Sequence, residues 1–293
     1  MSFHVNLDRR RADAPVDDHL AEQDFVRIAE LVNGRTGIRL PPAKRTMIEA
    51  RLRKRVRAHG LSSMGAYCRF LFDQGGLEAE LSHLVDVVTT NKTDFFREPD
   101  HFRFLAGPGI ETMLARQGQE RGARLHLWSA ASSNGAEAYT IAMVLRALAE
   151  RSRRFDFAIL GTDISTAMLR HAQRAVYPGD FVAPVPAEMR RRYLLTARDP
   201  RQNEVRIVPE LRERVRFAHL NLMEPSYPFE RHFDAIFLRN VLIYFEREVQ
   251  VAVTRRLISH LRPGGYLFVG HSETSVASAL PVRQVAPAIF QLK

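Results

Sequence analysis

The chain is expected to pair an all-α N-terminal domain with an α/β domain built on a mostly parallel sheet, and three observations lead there. The first third of the 293 residues carries apolar residues at helical spacing. After Arg124 short apolar runs alternate with helical ones, the pattern of strands joined by crossover helices. Between Tyr177 and Arg214 that alternation stops, over a stretch too long for an ordinary connection, which marks an inserted subdomain.

Residues 1–21 are charged and aperiodic and read as a flexible arm. A helix follows on Phe25, Ile28, Leu31 and Val32 and breaks at Asn33-Gly34. After "LPPAKRT" a second helix places Ile48, Leu52 and Val56 on one stripe and stops at His59-Gly60. "SMGAYCRFLFDQ" and "LEAELSHLVDVVTT" continue the helical domain, taken as residues 22–90. The remainder, 91–293, contains strand candidates "RLHLWSA", "FDFAILGTD", "VRFAHLNL", "FDAIFLRNV", "GYLFVGHS" and "AIFQL". Helices fit "AEAYTIAMVLRALAE", "STAMLRHAQRAV" and "REVQVAVTRRLISHL", the last closed by Pro263-Gly264-Gly265. The insertion is placed at 178–212, where "NEVRIV" reads as a short strand.

Composition narrows the function. With 45% hydrophobic residues the chain can bury sizeable cores, and no apolar run is long enough to span a membrane. A cytoplasmic location is expected. The single cysteine, Cys68, excludes an internal disulfide and a cysteine-based metal site, and the eleven His show no HxH or HExxH spacing, so no metal is expected. The net charge of +10 calls for an acidic partner.

In an open parallel sheet the ligand sits at the carboxyl ends of the strands, near the point where strand order reverses. The first strand ends in "WSAASSNGAEAY", with one glycine, Gly135, where a dinucleotide enzyme shows three. Small residues from Ser129 to Ser133 still allow close approach, but Glu137 in the first helical turn would repel a pyrophosphate. Asp163, closing "FAILGTD", can accept from both ribose hydroxyls, and Asn221, after "RVRFAHL", can pair with an adenine edge. A ribose, an adenine and no phosphate describe S-adenosyl-L-methionine, whose cationic groups tolerate Glu137.

From about Phe25 to the C-terminus the chain resembles the bacterial chemotaxis receptor methyltransferase (CheR) family. The likeness rests on "TTNKTDFFRE", "WSAASSNGAEAYTIAM", "GTDIS", "NLME", "FLRNVLIYF" and "GGYLFVGHSE", in that order. It implies a Rossmann-like class I S-adenosylmethionine-dependent methyltransferase domain with a small inserted β-subdomain. It also implies transfer of methyl groups to receptor glutamates, with S-adenosyl-L-homocysteine as product. Carried over residue by residue, Asn91, Thr93, Arg97, Glu137, Asp163, Asn221, Leu222, Arg239 and Asn240 hold the cofactor, and Arg97 and Tyr244 serve the reaction. The stretch 89–102 would then join the two domains and cover the cofactor, anchored by Phe95 and Phe96. Where the family reads G-E-E-P-Y, this chain reads Gly135-Ala136-Glu137-Ala138-Tyr139, keeping the second acid and losing the proline that stiffens the helix start.

A glutamate carboxylate is ionised at neutral pH, so its methylation needs alignment rather than a general base. The planar fork of Arg97 and the hydroxyl of Tyr244 suit that task. On the second helix Lys44, Arg45, Arg51, Arg53, Lys54, Arg55 and Arg57 stand against Glu49, with their faces turned from the apolar stripe. In the family this helix meets acidic receptor helices, so Arg51, Arg53, Lys54 and Arg57 are assigned to substrate binding, and the enzyme is expected to act as a monomer. In some members the β-subdomain docks a receptor C-terminal peptide. Two other readings compete. A nucleic-acid methyltransferase would explain the charge, but it would need an Asp/Asn-Pro-Pro-Tyr-like loop or a catalytic-domain cysteine, and "LRNVLIYF" is neither. A cofactor-binding scaffold without turnover would follow if the altered "GAEA" loop failed.

Overall fold

The computed structural model describes residues 19–116, 122–152, 155–199, 201–229 and 232–293. The arm expected at 1–21 therefore falls mostly outside the described residues. Within it, Leu20 is fully buried and its N–H donates to Glu49 Oε2 at 3.3 Å, while His19 and Ala21 are exposed.

The chain forms two compact units, one of residues up to 33 together with 40–88, the other of 34–39 with 89–293. The first holds most of α1 (Glu22–Thr36), then α2 (Arg45–Ala58), α3 (Met64–Asp73) and α4 (Leu77–Val88). The expected stripe Ile48, Leu52 and Val56 is fully buried. Ser63 caps α3 by accepting from the Ala66 N–H at 3.0 Å.

One expectation about α2 fails. Arg55 does not join a solvated basic face: its Nε donates to Glu80 Oε2 at 3.0 Å, and the same buried carboxylate accepts from the Tyr67 hydroxyl at 2.9 Å and lies 2.8 Å from His59 Nε2. A carboxylate arriving on α4 without water must find donors, and Arg55 is the cation within reach. Glu49 is likewise buried, with Arg53 Nη2 at 2.9 Å one turn away. Burial alone would raise the Glu80 pKa, but the bonds from Arg55, His59 and Tyr67 outweigh it and bring it down to about 2. A depressed carboxylate contributes stability that is present above its unfolded pKa and lost as pH falls through the folded one. Acid titration followed by circular dichroism should therefore show up to about 3 kcal/mol of stability lost between pH ~4.5 and ~2 in the wild type but not in Glu80→Gln. Equal acid sensitivity in both would remove Glu80 from the account.

The second unit opens with α5 (Pro99–Phe104) and α6 (Ile110–Arg116), then runs β1 (Ala123–Ala130), α7 (Ala136–Ser152), β2 (Phe155–Asp163) and α8 (Thr166–Arg174). The insertion follows as β3 (Val176–Pro178), α9 (Ala187–Tyr193), β4 (Leu194–Thr196), β5 (Glu204–Ile207) and α10 (Pro209–Arg212). The chain then returns through β6 (Val215–His219), β7 (Phe233–Leu238), α11 (Arg247–Ile258), β8 (Leu261–Val269), β9 (Val282–Ala286) and β10 (Ile289–Leu292).

The main sheet runs β6-β2-β1-β7-β8-β10-β9, parallel through β8 and antiparallel at β10 and β9. Strand order reverses between β1 and β7, which places the ligand crevice at their carboxyl ends. Period-two alternation feeds two cores: Leu125, Leu127, Ala235, Phe237, Tyr266 and Phe268 face one, and Trp128, Ala130, Ile236, Leu238, Leu267 and Val269 the other. The inserted strands form their own antiparallel sheet, ordered β3-β5-β4.

Two strands differ from expectation. Pro263-Gly264-Gly265 does not precede the strand but lies inside β8, where the pairing register with β7 shifts and Gly264 adopts φ +69°. The edge strand β9 was not expected, because "VRQVA" is half polar and pairs on one side only.

Candidate active site

The stretch 89–98 is fixed to the α/β domain at its backbone. Ser133 Oγ donates to the Asn91 carbonyl at 3.1 Å, and the Phe96 N–H donates to Thr140 Oγ1 at 3.2 Å. Phe95 is buried, edge-on to Tyr177 at 5.1 Å and to Phe181 at 5.7 Å, while Phe96 packs edge-on to Phe102. Phe96 and Glu98 adopt φ of +54° and +55°, and Ala131, Ser133 and Asn240 are also left-handed. Five of the seven left-handed non-glycine residues among those described thus gather here, a concentration of backbone strain of the kind that marks functional sites.

The loop after β1 approaches closely. Gly135 has φ +87°, and a Cβ on it would come 2.9 Å from the Ala172 Cβ, so the start of α7 can sit there only with glycine. Asn134 Oδ1 accepts from the Ala136 N–H at 3.1 Å, which satisfies one backbone donor at the start of α7. Asp163, at the end of β2, is 7% exposed and accepts from the N–H groups of Ser133 and Ser165, both at 2.8 Å. A carboxylate oxygen can accept more than one hydrogen bond, so a ligand hydroxyl can share this side chain.

Glu137 and Arg239 meet directly. Glu137 accepts from Ser129 Oγ at 2.7 Å and from Arg239 Nη1 at 2.9 Å. Arg239, whose side chain is 2% exposed, also donates from Nη2 to Glu98 Oε2 at 3.1 Å and to the Arg97 carbonyl, and lies over the Phe102 ring. Its Nε has no partner. Asn240 donates from Nδ2 to Glu98 Oε1 at 3.2 Å, and its backbone N–H goes to Glu273 Oε2 at 2.8 Å. Sequence reasoning missed both Glu98 and Glu273. Glu98 carried one signal: it stands between Arg97 and Pro99, where the helical conformation is disfavoured. Burial would raise its pKa, but Arg239 and Asn240 hold it below the ordinary carboxylate range.

Other expected residues are placed as follows. The Arg97 guanidinium makes one bond, from Nη1 to the Lys92 carbonyl at 3.1 Å. Thr93 is half-buried, and Leu222 is buried with its carbonyl accepting from Tyr227 and Arg256. Tyr244 is half-buried in the 3-10 turn Leu242–Tyr244, and its carbonyl accepts from the Arg39 N–H at 2.9 Å. The side-chain amide of Asn221 is largely committed, donating to the Arg35 carbonyl at 2.7 Å and accepting from the Met223 N–H at 3.0 Å. A bond to the N–H two residues on is the low-cost arrangement for an Asn opening a turn.

Glu98, His101 and His271 offer ligand atoms within 4.8 Å of one another, a group the sequence did not suggest. The Arg239 guanidinium, 3.1 Å from Glu98 Oε2, already occupies the carboxylate a cation would need. Burial pushes the His101 pKa down to about 4, with Arg239 adding to the effect.

Carboxylates at the ends of β2 and the start of α7, a small-residue loop and an unpartnered buried Nε fit a nucleoside carrying a charged amino-acid tail better than a pyrophosphate. Sheet order and site together define a class I methyltransferase domain. The model of the CheR methyltransferase SAM binding domain matches residues 91–286, and that of the CheR methyltransferase all-alpha domain matches 23–89. Chemotaxis protein methyltransferase 2 of Pseudomonas aeruginosa is 36% identical over 274 residues, covering 93% of this chain and 94% of that protein. The chemotaxis protein methyltransferase of Escherichia coli is 36% identical over 255 residues, 87% of this chain and 85% of its own length. Among solved structures, the N-methyltransferase NodS from Bradyrhizobium japonicum in complex with S-adenosyl-L-homocysteine aligns at 11% identity, over 65% of this chain and 86% of that one, with a TM-score of 0.36. The chain belongs to the CheR methyltransferase family, and S-adenosyl-L-methionine is its cofactor.

Proposed function

We propose that this protein methylates glutamate side chains of chemoreceptors, producing glutamyl methyl esters and S-adenosyl-L-homocysteine. The observation that carries the reading is the meeting of the 89–98 stretch with the carboxyl ends of β1, β2 and β7 through Asn91, Glu98, Glu137, Asp163 and Arg239. When bound, S-adenosyl-L-methionine supplies an electrophilic methyl group on sulfur. Asp163 would hold the ribose, Leu222 and the remaining amide hydrogen of Asn221 the adenine end, and Glu137 with Arg239 and Asn240 the amino-acid tail, with Asn91 and Thr93 closing over it. Arg97, tied down by one bond only, orients the incoming carboxylate, and Tyr244 donates to one of its oxygens. The carboxylate is already ionised, so positioning supplies the rate and no histidine or cysteine is required.

The helical unit recognises the acidic helical region of the receptor, and the protein works as a cytoplasmic monomer; among the described residues no helix is long and apolar enough to cross a membrane. Arg53 is half-committed to the buried Glu49, whereas Lys54 and Arg57 are exposed. Lys54 and Arg57 therefore make the cleaner charge reversal. Steady-state methylation over a salt series should show the receptor KM rising as the Debye length falls below about 10 Å, with cofactor affinity nearly unchanged. Lys54→Glu/Arg57→Glu should raise KM at low salt without altering cofactor binding. A wild-type KM in the double variant would leave the basic face merely solvated.

A further inference from the structure

We infer that Glu273 is a positioning residue for the reaction, setting the loop that carries Asn240 and Tyr244 from a neighbouring strand end. The inference rests on the reading of Tyr244 as an active-site residue.

Glu273 lies in the 3-10 segment His271–Ala279 that follows β8, and it is 4% exposed. Part of its bonding is local. Its own N–H donates to the Gly270 carbonyl at 2.8 Å, and its Oε2 accepts from the Gly270 N–H at 2.8 Å, a reciprocal cap that any helix start could use. The rest reaches across to the loop after β7. Oε2 also accepts from the Asn240 N–H at 2.8 Å, and Oε1 accepts from the Ile243 N–H at 3.3 Å. One carboxylate thus gathers backbone donors from both sides of the Asn240–Tyr244 turn.

The carboxylate makes no ion pair among the described residues. A buried anion without a cation is costly, and only converging N–H groups make it tolerable. A cap for its own segment needs one such bond; the additional bonds hold the other loop. Asn240 is left-handed, at φ +58°, so its N–H points to Glu273 only while that strained turn is kept. Gly270 shows how tight the junction is: a Cβ there would come 2.6 Å from Asn240 Nδ2 and 2.7 Å from Glu273 Oε2. Tyr244 follows directly, its N–H bonded to the Val241 carbonyl within the same turn. Releasing Glu273 would free the turn, and Tyr244 with it, while the strands beneath remain paired.

The test is a double-mutant cycle on kcat per folded enzyme, with folding checked by thermal denaturation and saturating cofactor throughout. Glu273→Gln turns an amide donor toward backbone donors and should lower kcat about 10- to 100-fold in the wild-type background. In the Tyr244→Phe background the same change should cost less than about threefold, because the group it positions is already gone. Glu273→Asp keeps the charge but shortens the reach; it should fall between wild type and Glu273→Gln, and it serves in the cycle if Glu273→Gln does not fold. A slow Tyr244→Phe enzyme in which the Glu273 change costs its full factor again would overturn the inference alone, leaving Glu273 a structural cap. A Tyr244→Phe enzyme with wild-type kcat would instead sink the active-site reading of Tyr244 and the inference with it.

Discussion

Arg97→Ala should lower turnover about 100-fold or more, the scale for losing the alignment of a reacting group, while cofactor affinity falls by less than about threefold. The expectation follows from how little Arg97 does in the resting fold. Its side chain makes a single hydrogen bond, to the Lys92 carbonyl, so removing it leaves no buried partner behind. The melting temperature should not move. Arg97→Lys should recover only part of the rate, since an ammonium cannot present two parallel donors to a carboxylate. Single-turnover methylation at saturating cofactor, with calorimetry for affinity, separates the outcomes. A collapse of affinity equal to the loss of turnover would reassign Arg97 to the cofactor, and near-normal turnover would remove it from the site.

Arg239 is expected to behave in the opposite way. Its guanidinium is 2% exposed and bridges Glu98 and Glu137, so Arg239→Ala leaves two poorly solvated carboxylates facing each other. Breaking a buried pair in this manner costs about 3–5 kcal/mol, and a drop in melting temperature of roughly 10 °C follows for a domain of this size. Cofactor binding should fail together with stability, because the same side chain joins the 89–98 stretch to the start of α7. Adding Glu98→Gln to Arg239→Ala should restore part of the loss, the signature of a coupled pair. A stable Arg239→Ala protein that still binds cofactor would show that the bridge is dispensable.

The contrast between the two arginines bears on what the sequence could tell. The framework was legible because it rests on local periodicity: the apolar runs of β1, β2 and β7 and the stripe Ile48, Leu52 and Val56 each announce their burial within a few residues. The positions of Asp163 and Glu137 followed from strand ends. What stayed hidden was pairing at long range. Arg239 meets Glu98 across 141 residues and Glu137 across 102, and no spacing rule reaches that far. Glu273 was equally silent, being one acid in a loop until two strand ends come together. Arg55 erred in the other direction, since its helix reads as a basic face until Glu80 arrives from another helix. Asn221 was placed correctly at the end of β6, but its amide was expected for a ligand edge and is mostly spent on the turn it opens.

The proposed reaction moves a methyl group onto receptor glutamate carboxylates. Its most direct test is to incubate the full-length protein with methyl-labelled S-adenosyl-L-methionine and membranes bearing the cell's chemoreceptors, then locate the label by mass spectrometry after proteolysis. Base-labile label is expected on glutamate side chains within the acidic helical cytoplasmic region of the receptors, and it should be absent when Arg97→Ala replaces the wild type. Label on nucleic acid, on side chains other than glutamate, or on no receptor at all with an enzyme that binds the cofactor would contradict it.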